Sequence, residues 1–272
     1  MAINYASKYA AKIDERFSRE ALSDAGINKD YDFVGTQTVN VYSIPTAQMN
    51  DYTRSGANRY GTPAELENNV QELTVTQDRA FTFTIDRGNF TDTQMANSAG
   101  QALQRQLREV VIPEIDTYRF AKMAENAGTK AVGEITKENA YDSFLNAVTA
   151  LIDNNVPIGE CVAFVSSSFY KAIKEDGAFI KNGDLSQKML IKGQVGMIDS
   201  IAVIVVPSSY LPKNVCFIVA HKSATTAPVK LSEYKIHDNP PGINGWLVEG
   251  RVYYDAFVLS SKENGIYTHS AV

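Results

Sequence analysis

Three histidines, at positions 221, 237 and 269, are all that the 272 residues offer for imidazole chemistry. No two of them have the spacing that places a metal-binding pair on one helix face, and no carboxylate–histidine cluster accompanies them. His221 closes an apolar run, His237 lies in a polar stretch before Pro240 and Pro241, and His269 stands three residues from the C-terminus. Each reads as a structural or surface residue. Ser166, Ser167 and Ser168 follow an apolar run and precede a helical stretch, as a nucleophile elbow does, but the flanking glycines of that motif are missing and helix capping accounts for them. No glycine-rich loop has the spacing that cradles a phosphate. The acidic pairs Asp14/Glu15 and Glu65/Glu67 sit in polar surroundings, where nothing raises a carboxyl pKa for acid catalysis. Cys161 and Cys216 fall inside the apolar runs CVAFV and VCFIVA, which predicts buried, reduced, inert thiols. The chain reads as a non-enzyme with no cofactor and no metal site.

Composition narrows the classes further. Hydrophobic residues make up 44% and charged residues 21%, as in a folded globular protein. The net charge of -5 is the opposite of what phosphate-neutralising nucleic-acid binders carry. The longest apolar stretch, 201–207, is far too short to cross a bilayer, and the N-terminus lacks the apolar centre of a signal peptide. The chain is expected to stay in a cytosolic compartment or to assemble from there. Its 14 Tyr and 12 Phe suit either an aromatic core or a half-wet contact surface.

The elements that position these residues follow from periodicity. Residues 1–35 read as an arm, with Ala6, Tyr9, Ala10, Ile13 and Phe17 at helical spacing. A first strand spans 36–45. A second spans 70–87, with Leu73, Val75, Phe81, Phe83 and Ile85 alternating with Thr74, Thr76, Thr82 and Thr84. The roughly 24 mostly polar residues between them predict the tip of a projecting hairpin, which needs a neighbour to cover it; in an enzyme such a feature would be a lid. A long helix starts at Thr91 or Asp92, carries Met95, Leu103, Leu107, Val111, Ile115 and Tyr118 on one face, and ends at Gly128, with Pro113 kinking or splitting it. A further helix begins near Thr136–Asn139, buries Ala140, Phe144, Val148, Leu151 and Ile152, and stops before Pro157. Then come the buried strand CVAFVSS, a helix capped by Ser167 or Ser168, a turn–strand–turn over 192–212, the strand NVCFIVAH, and three candidate strands in VKLSEYKI, GWLVEGRVYYDAFVLSS and GIYTH. In 201–206 both faces are apolar, which predicts a central strand of a covered sheet. The class is α+β, without a βαβαβ series or an internal repeat.

This order of parts resembles the major capsid proteins of tailed bacteriophages, the HK97-type coat protein family. Three phrases carry the resemblance: LREVVIPEIDTYRFAKMA at 107–124, GQVGMIDSIAVIVVP at 193–207 and INGWLVEGRVYYDAFVLSSKENGIYTH at 243–269. It implies an HK97-like fold with an N-terminal arm at 1–35, an extended hairpin loop with peripheral-domain strands at 36–90, the spine helix of the peripheral domain at 91–132, an axial domain at 133–230, and C-terminal strands returning to the peripheral domain at 231–272. The implied function is self-assembly, as pentamers and hexamers, into the icosahedral head that encloses a double-stranded DNA genome without sequence-specific binding. The implied partners are further copies of the chain, a portal protein and a separate scaffolding protein, since the hairpin begins by residue 36 of a chain starting at Met1. The expected location is the virion, assembled in the host cytoplasm, with no membrane. Residues 50–69 contain no lysine, which argues against covalent crosslinking from the tip. Aromatic residues and arginine are favoured at contact centres, so Tyr5, Tyr9 and Phe17 on the arm and Tyr52, Arg54, Arg59 and Tyr60 at the tip are the expected inter-subunit contacts. Arg105 and Arg108 could instead pair with acids of their own helix, such as Glu109. An encapsulin-like nanocompartment shell and a phage tail-tube or connector protein are the alternatives.

Overall fold

The alternation of apolar and threonine residues over 70–87 is realised as two strands that belong to different sheets. A computed structural model describes residues 21–31, 38–43, 46–63, 65, 69–87, 98–176 and 194–272. In it β1 (Thr38–Ser43) pairs antiparallel with β2 (Asn69–Thr74), in register from Thr38↔Thr74 to Ser43↔Asn69. After two residues the chain resumes as β3 (Gln77–Asp86), which joins β11 (Gly245–Tyr254) and through it β10 (Val229–Asp238) in an antiparallel sheet of order β10-β11-β3. The change of partner is fixed at the break. Val75 is buried, its carbonyl accepts from the Tyr253 hydroxyl at 2.6 Å, and the amide and hydroxyl of Thr76 donate to the Asp255 carboxylate at 2.8 and 2.9 Å.

The long helix is present and continuous through Pro113. It runs as α1 (Ser98–Gln106), one widened turn (Leu107–Val111), and α2 (Ile112–Glu125). Pro113 has no amide to give to the preceding turn, and the Ile112 amide reaches back five residues to the Leu107 carbonyl. With that extra residue Ile112 joins the buried face, so Leu103, Leu107, Ile112 and Ile115 face the three-stranded sheet at Tyr234, Val248 and Val252, with the expected Val111 and Tyr118 half-buried against the same core. The expected start at Thr91 or Asp92 lies outside the described residues. Beyond the helix, the Gly128 amide donates to the Glu263 carbonyl at 2.9 Å. A Cβ there would stand 2.7 Å from the Asn264 nitrogen, so this close approach requires glycine.

Two short strands, β9 (Thr225–Thr226) and β12 (Phe257–Val258), pair with each other, and the other six form a sheet of order β4 (Thr129–Val132), β13 (Ile266–Ser270), β8 (Val215–His221), β5 (Cys161–Ser166), β7 (Ile201–Val206) and β6 (Gln194–Ile198). Helices α3 (Ala140–Asp153) and α4 (Ser167–Glu175) cover one face with Phe144, Leu151, Phe169 and Ile173; α2 covers the other with Phe120 and Met123. Coverage on both sides is why CVAFV and IAVIVV are apolar throughout. Several expectations change in detail. The α4 cap is Ser166, whose Oγ accepts from the Phe169 amide at 3.2 Å. Ile152 is 54% exposed, and Ala147 fills the core face of α3 in its place. Residues 194–198, expected as a turn, form edge strand β6, closed onto β7 by a two-residue turn at Asp199 and Ser200, both at positive φ. His237 lies within β10, not in a turn, 3.2 Å from Glu249. The segment 231–272 divides between sheets, for β13 pairs with β8 and β4 while β10 pairs with β11 and β11 with β3.

A buried polar node joins the chain's early residues to α2. A 3-10 turn (Leu22–Gly26) presents its Leu22 and Ser23 amides to the Asp116 carboxylate at 3.0 and 3.3 Å, with the Ser23 hydroxyl at 2.5 Å. Arg119 donates to Ser23 Oγ at 3.0 Å and to Asp24 at 2.9 Å. Burial pushes the Asp116 carboxyl up from the usual carboxylate range; the Ser23 hydroxyl, Arg119 and the two amides oppose that rise. Breaking this node leaves a buried charge without its partner, so Arg119→Met is expected to lower the unfolding free energy by about 3–5 kcal/mol in urea titrations. Arg119→Met combined with Asp116→Leu should recover part of that loss.

His221 is also buried, and its Nδ1 accepts from the Ser223 amide at 3.2 Å. Burial pushes its pKa below the ordinary 6.5, against the pull of Glu160. The stability this confers is present above pH 6.5 and is lost as pH falls through the lowered value, because protonation then opposes folding. His221→Gln should therefore flatten the fall in thermal midpoint between about pH 7 and 5.

Candidate assembly interface

Chain segment 46–63 is exposed along nearly its whole length, yet it is folded upon itself. The Thr53 amide donates to the Arg59 carbonyl at 3.1 Å, the Gly61 amide to the Asn58 carbonyl at 2.9 Å, and Arg59 Nε to the Gly56 carbonyl at 3.3 Å. Gly56, Asn58 and Gly61 all take positive φ, which sets the reversal. These bonds bring the four expected tip residues into one cluster. Tyr52 and Tyr60 meet edge to face with ring centroids 5.0 Å apart, Arg59 ties the turn, and Arg54 is exposed within it. Tyr5, Tyr9 and Phe17 lie outside the described residues.

The ribbon beneath this tip has a fixed root and a bare end. On its inner face Val39, Val41 and Leu73 pack with Val75, Tyr253, Phe257 and Leu259. Gln71 bridges to the tail, its Nε2 donating to the Val258 carbonyl at 3.0 Å while its Oε1 accepts from the amide and hydroxyl of Ser260, each at 2.9 Å. On the outer face the register partners Tyr42 and Val70 are 67% and 53% exposed, and Met49 beyond them is almost wholly bare. Sequence reasoning did not single out these three. The available signal was the run VYS, where apolar residues occupy both faces of a strand that pairs on one edge only.

A second concave surface lies at the widened turn of the spine, a cavity of about 320 Å³ lined by Phe83, Ala102, Arg105, Gln106, Glu109 and Val110. Arg105 donates to Glu109 across it at 2.9 Å, the same-helix pairing expected for this arginine. None of these surfaces holds a reactive group. Cys161 and Cys216 are free thiols, and burial pushes Cys161 up to about 11. Among the described residues no group of three or more His, Cys, Asp or Glu could hold a metal ion, and no helix is long and apolar enough to cross a membrane.

No family model and no curated protein matches the sequence. Solved structures match along nearly the full chain. A structure of Mycobacterium phage Che8 superposes with a TM-score of 0.69 at 15% identity, covering 89% of this chain and 88% of its own. The head structure of Helicobacter pylori bacteriophage KHP40 gives 0.66 at 11% identity, covering 93% and 90%. A virus-like particle from Pyrococcus furiosus gives 0.62 at 9% identity, covering 98% and 100%.

The chain has the HK97-type capsid fold. Coverage of this extent makes the ribbon, the spine and both sheets parts of one fold. At such identities the likeness resides in the course of the backbone. That is why the recognisable phrases of the sequence are ones that encode structure, such as the proline-marked spine and the all-apolar β7.

Because the ribbon's root is packed independently of its tip, Tyr52→Ala with Tyr60→Ala should leave the global urea midpoint unchanged. Losing an edge-to-face contact of about 1 kcal/mol should loosen the tip alone, seen as several-fold faster tryptic cleavage after Arg54 and Arg59.

Proposed function

We propose that this chain is the major capsid protein of a tailed bacteriophage, self-assembling into the icosahedral head that encloses the double-stranded DNA genome. The observation that carries this reading is the near full-length agreement with phage structures, a bacteriophage head among them, in a chain whose ribbon leaves Tyr42, Val70 and the Tyr52–Tyr60 pair uncovered. In this reading residues 1–35 are an arm lying across a neighbour, and the ribbon with its tip is the extended loop that overlaps the adjacent subunit. The spine and the β10-β11-β3 sheet make the peripheral domain. The six-stranded sheet with α3 and α4 makes the axial domain, to which β13 returns. One subunit must fit both pentamers and hexamers, so its contacts must tolerate small rotations. A tip stabilised by its own turn, on a rigid root, meets that need. The partners are further copies of the chain, a separate scaffolding protein and a portal protein. A net charge of -5 suits a container that encloses DNA without gripping its sequence.

A second reading is the shell of a cellular nanocompartment, favoured by the full-length match to the virus-like particle from Pyrococcus furiosus. Negative-stain electron microscopy of the purified protein, with nucleic acid measured in the same particles, separates the two. Polyhedral shells or capsomer rings, with DNA in shells isolated from infected cells, are the expected result. Shells filled with a protein cargo would favour the nanocompartment. A monomer unchanged on concentration and on mixing with a candidate scaffold would sink both.

A further inference from the structure

The two edges of the six-stranded sheet fit one another. Among the described residues neither β4 nor β6 has a strand on its outer side. On each edge a large apolar side chain faces solvent, Val132 at 70% exposure on β4 and Met197 at 55% on β6. Both lie on the same face of the sheet, as the register shows. Lys130, two residues before Val132, pairs with Thr268, which pairs with Ile218, then Phe164, then Ile204; Ala202, two residues from Ile204 on β7, pairs with Met197. A charge accompanies each apolar residue at the same spacing, exposed Lys130 before Val132 and exposed Asp199 after Met197.

Strand direction supplies the rest. β4 runs parallel to β13, β13 antiparallel to β8, β8 antiparallel to β5, β5 parallel to β7 and β7 antiparallel to β6. The two edges therefore run in opposite senses, and a second copy set edge-on in the same orientation brings its β6 antiparallel to the first copy's β4. With Val132 opposite Met197, that antiparallel approach puts Lys130 opposite Asp199. The backbone agrees with it. The Gly133 amide is used inward, toward the Ser270 carbonyl, so Val132 turns its own amide out. Ile198 closes the two-residue turn with Ile201, so Met197 does the same.

We propose that the β4 edge of one copy docks on the β6 edge of the next, with Val132 against Met197 and Lys130 against Asp199. This rests on the shell reading above and names the contact that builds its rings, since a head-to-tail contact between different surfaces of identical chains closes into a ring when its rotation divides the circle. The Lys130 ammonium now rests on the end of α2, donating to the Glu125 carbonyl at 2.5 Å, and a swing of its flexible stem carries it to a neighbour's carboxylate. One apolar pair with one flexible ion pair accommodates the slightly different rotations of five- and six-membered rings.

Cysteine trapping tests it in the full chain. Val132→Cys and Met197→Cys chains, co-expressed and oxidised, should form a disulfide dimer on a non-reducing gel, while each variant alone and the wild type, with its native Cys161 and Cys216, should not. The double variant should give a ladder ending at five or six chains. Lys130→Asp should cut ring yield several-fold, and Asp199→Lys in the same chain should restore it. Wild-type shells with no crosslink in the mixture would overturn the edge contact and leave the shell reading standing. A dimer from Val132→Cys alone would mean a two-fold contact and also overturn it. Absence of rings and shells from the wild type would bring down the shell reading itself.

Discussion

Helix α2 is shared by two hydrophobic cores, and the rest of the molecule depends on that sharing. At 100° per residue, Ile112, Ile115, Asp116, Arg119, Phe120 and Met123 all fall on one stripe of the helix. The stripe meets the two cores in succession over about 16 Å of helix. Ile112 and Ile115 belong to the core of the three-stranded sheet, and Phe120 and Met123 to that of the six-stranded sheet. Asp116 and Arg119 sit at the seam between them. An apolar seam would let the helix slide by a turn with little loss of burial. A carboxylate and a guanidinium with directional bonds to Leu22, Ser23 and Asp24 allow one register only, which is the use of buried ions that is best supported. The same bonds hold the root of the N-terminal segment in place.

A second buried carboxylate does for the ribbon what Asp116 does for the helix. Asp255 accepts from the Thr76 amide and hydroxyl, from the Tyr118 hydroxyl at 2.8 Å and from the Ala256 amide at 2.8 Å. Burial and that carboxylate hold the Tyr118 phenol well above its ordinary value, so it remains a donor. The point where the ribbon leaves the three-stranded sheet is thus tied to the spine and to the tail together. The side-chain bonds from the ribbon to the rest of the molecule reach as far as Gln71; beyond it the described order comes from the last pairs of the ribbon, Tyr42↔Val70 and Ser43↔Asn69, and from the tip's own turn bonds. An adaptable tip on a fixed root follows from where the buried polar bonds stop.

Periodicity made most of the fold legible in the sequence, and its failures have a common cause. Alternation over 70–87 predicted the inward residues correctly, but it could not show that Leu73 and Phe81 face different sheets, because a change of hydrogen-bonding partner leaves the period of two untouched. The helical period predicted Leu103, Leu107, Val111 and Ile115, and Pro113 marked the irregularity, but only the extra residue of the widened turn brings Ile112 to the same core beside Val111. GQVGMID looked like a turn because its glycines hid an edge strand paired on one side only. Asp116, Arg119 and Asp255 looked like ordinary polar residues, since their burial is created by segments 93, 95 and 179 positions away. At the candidate interface, composition made Tyr52 and Tyr60 legible. Tyr42 and Val70 were not, because their exposure depends on which face of the ribbon the core of Leu73, Val75 and Leu259 takes.

The treatment of sheet edges separates surfaces meant for water from surfaces meant for a partner. An unpaired edge is a template for aggregation unless it is short, charged or covered. The outer edge of the three-stranded sheet, β10, is ten residues long and places exposed Glu233, Lys235 and His237 along it, as an edge that must stay unpaired requires. β4 and β6 are only four and five residues long and leave Val132 and Met197 bare, each with a charge two positions away. Such edges are too short to nucleate open-ended strand stacking, yet each presents a defined contact. A chain that blunts one sheet edge with charge and leaves two short edges with an apolar residue each treats its edges unequally, and the docking proposed above would use that inequality.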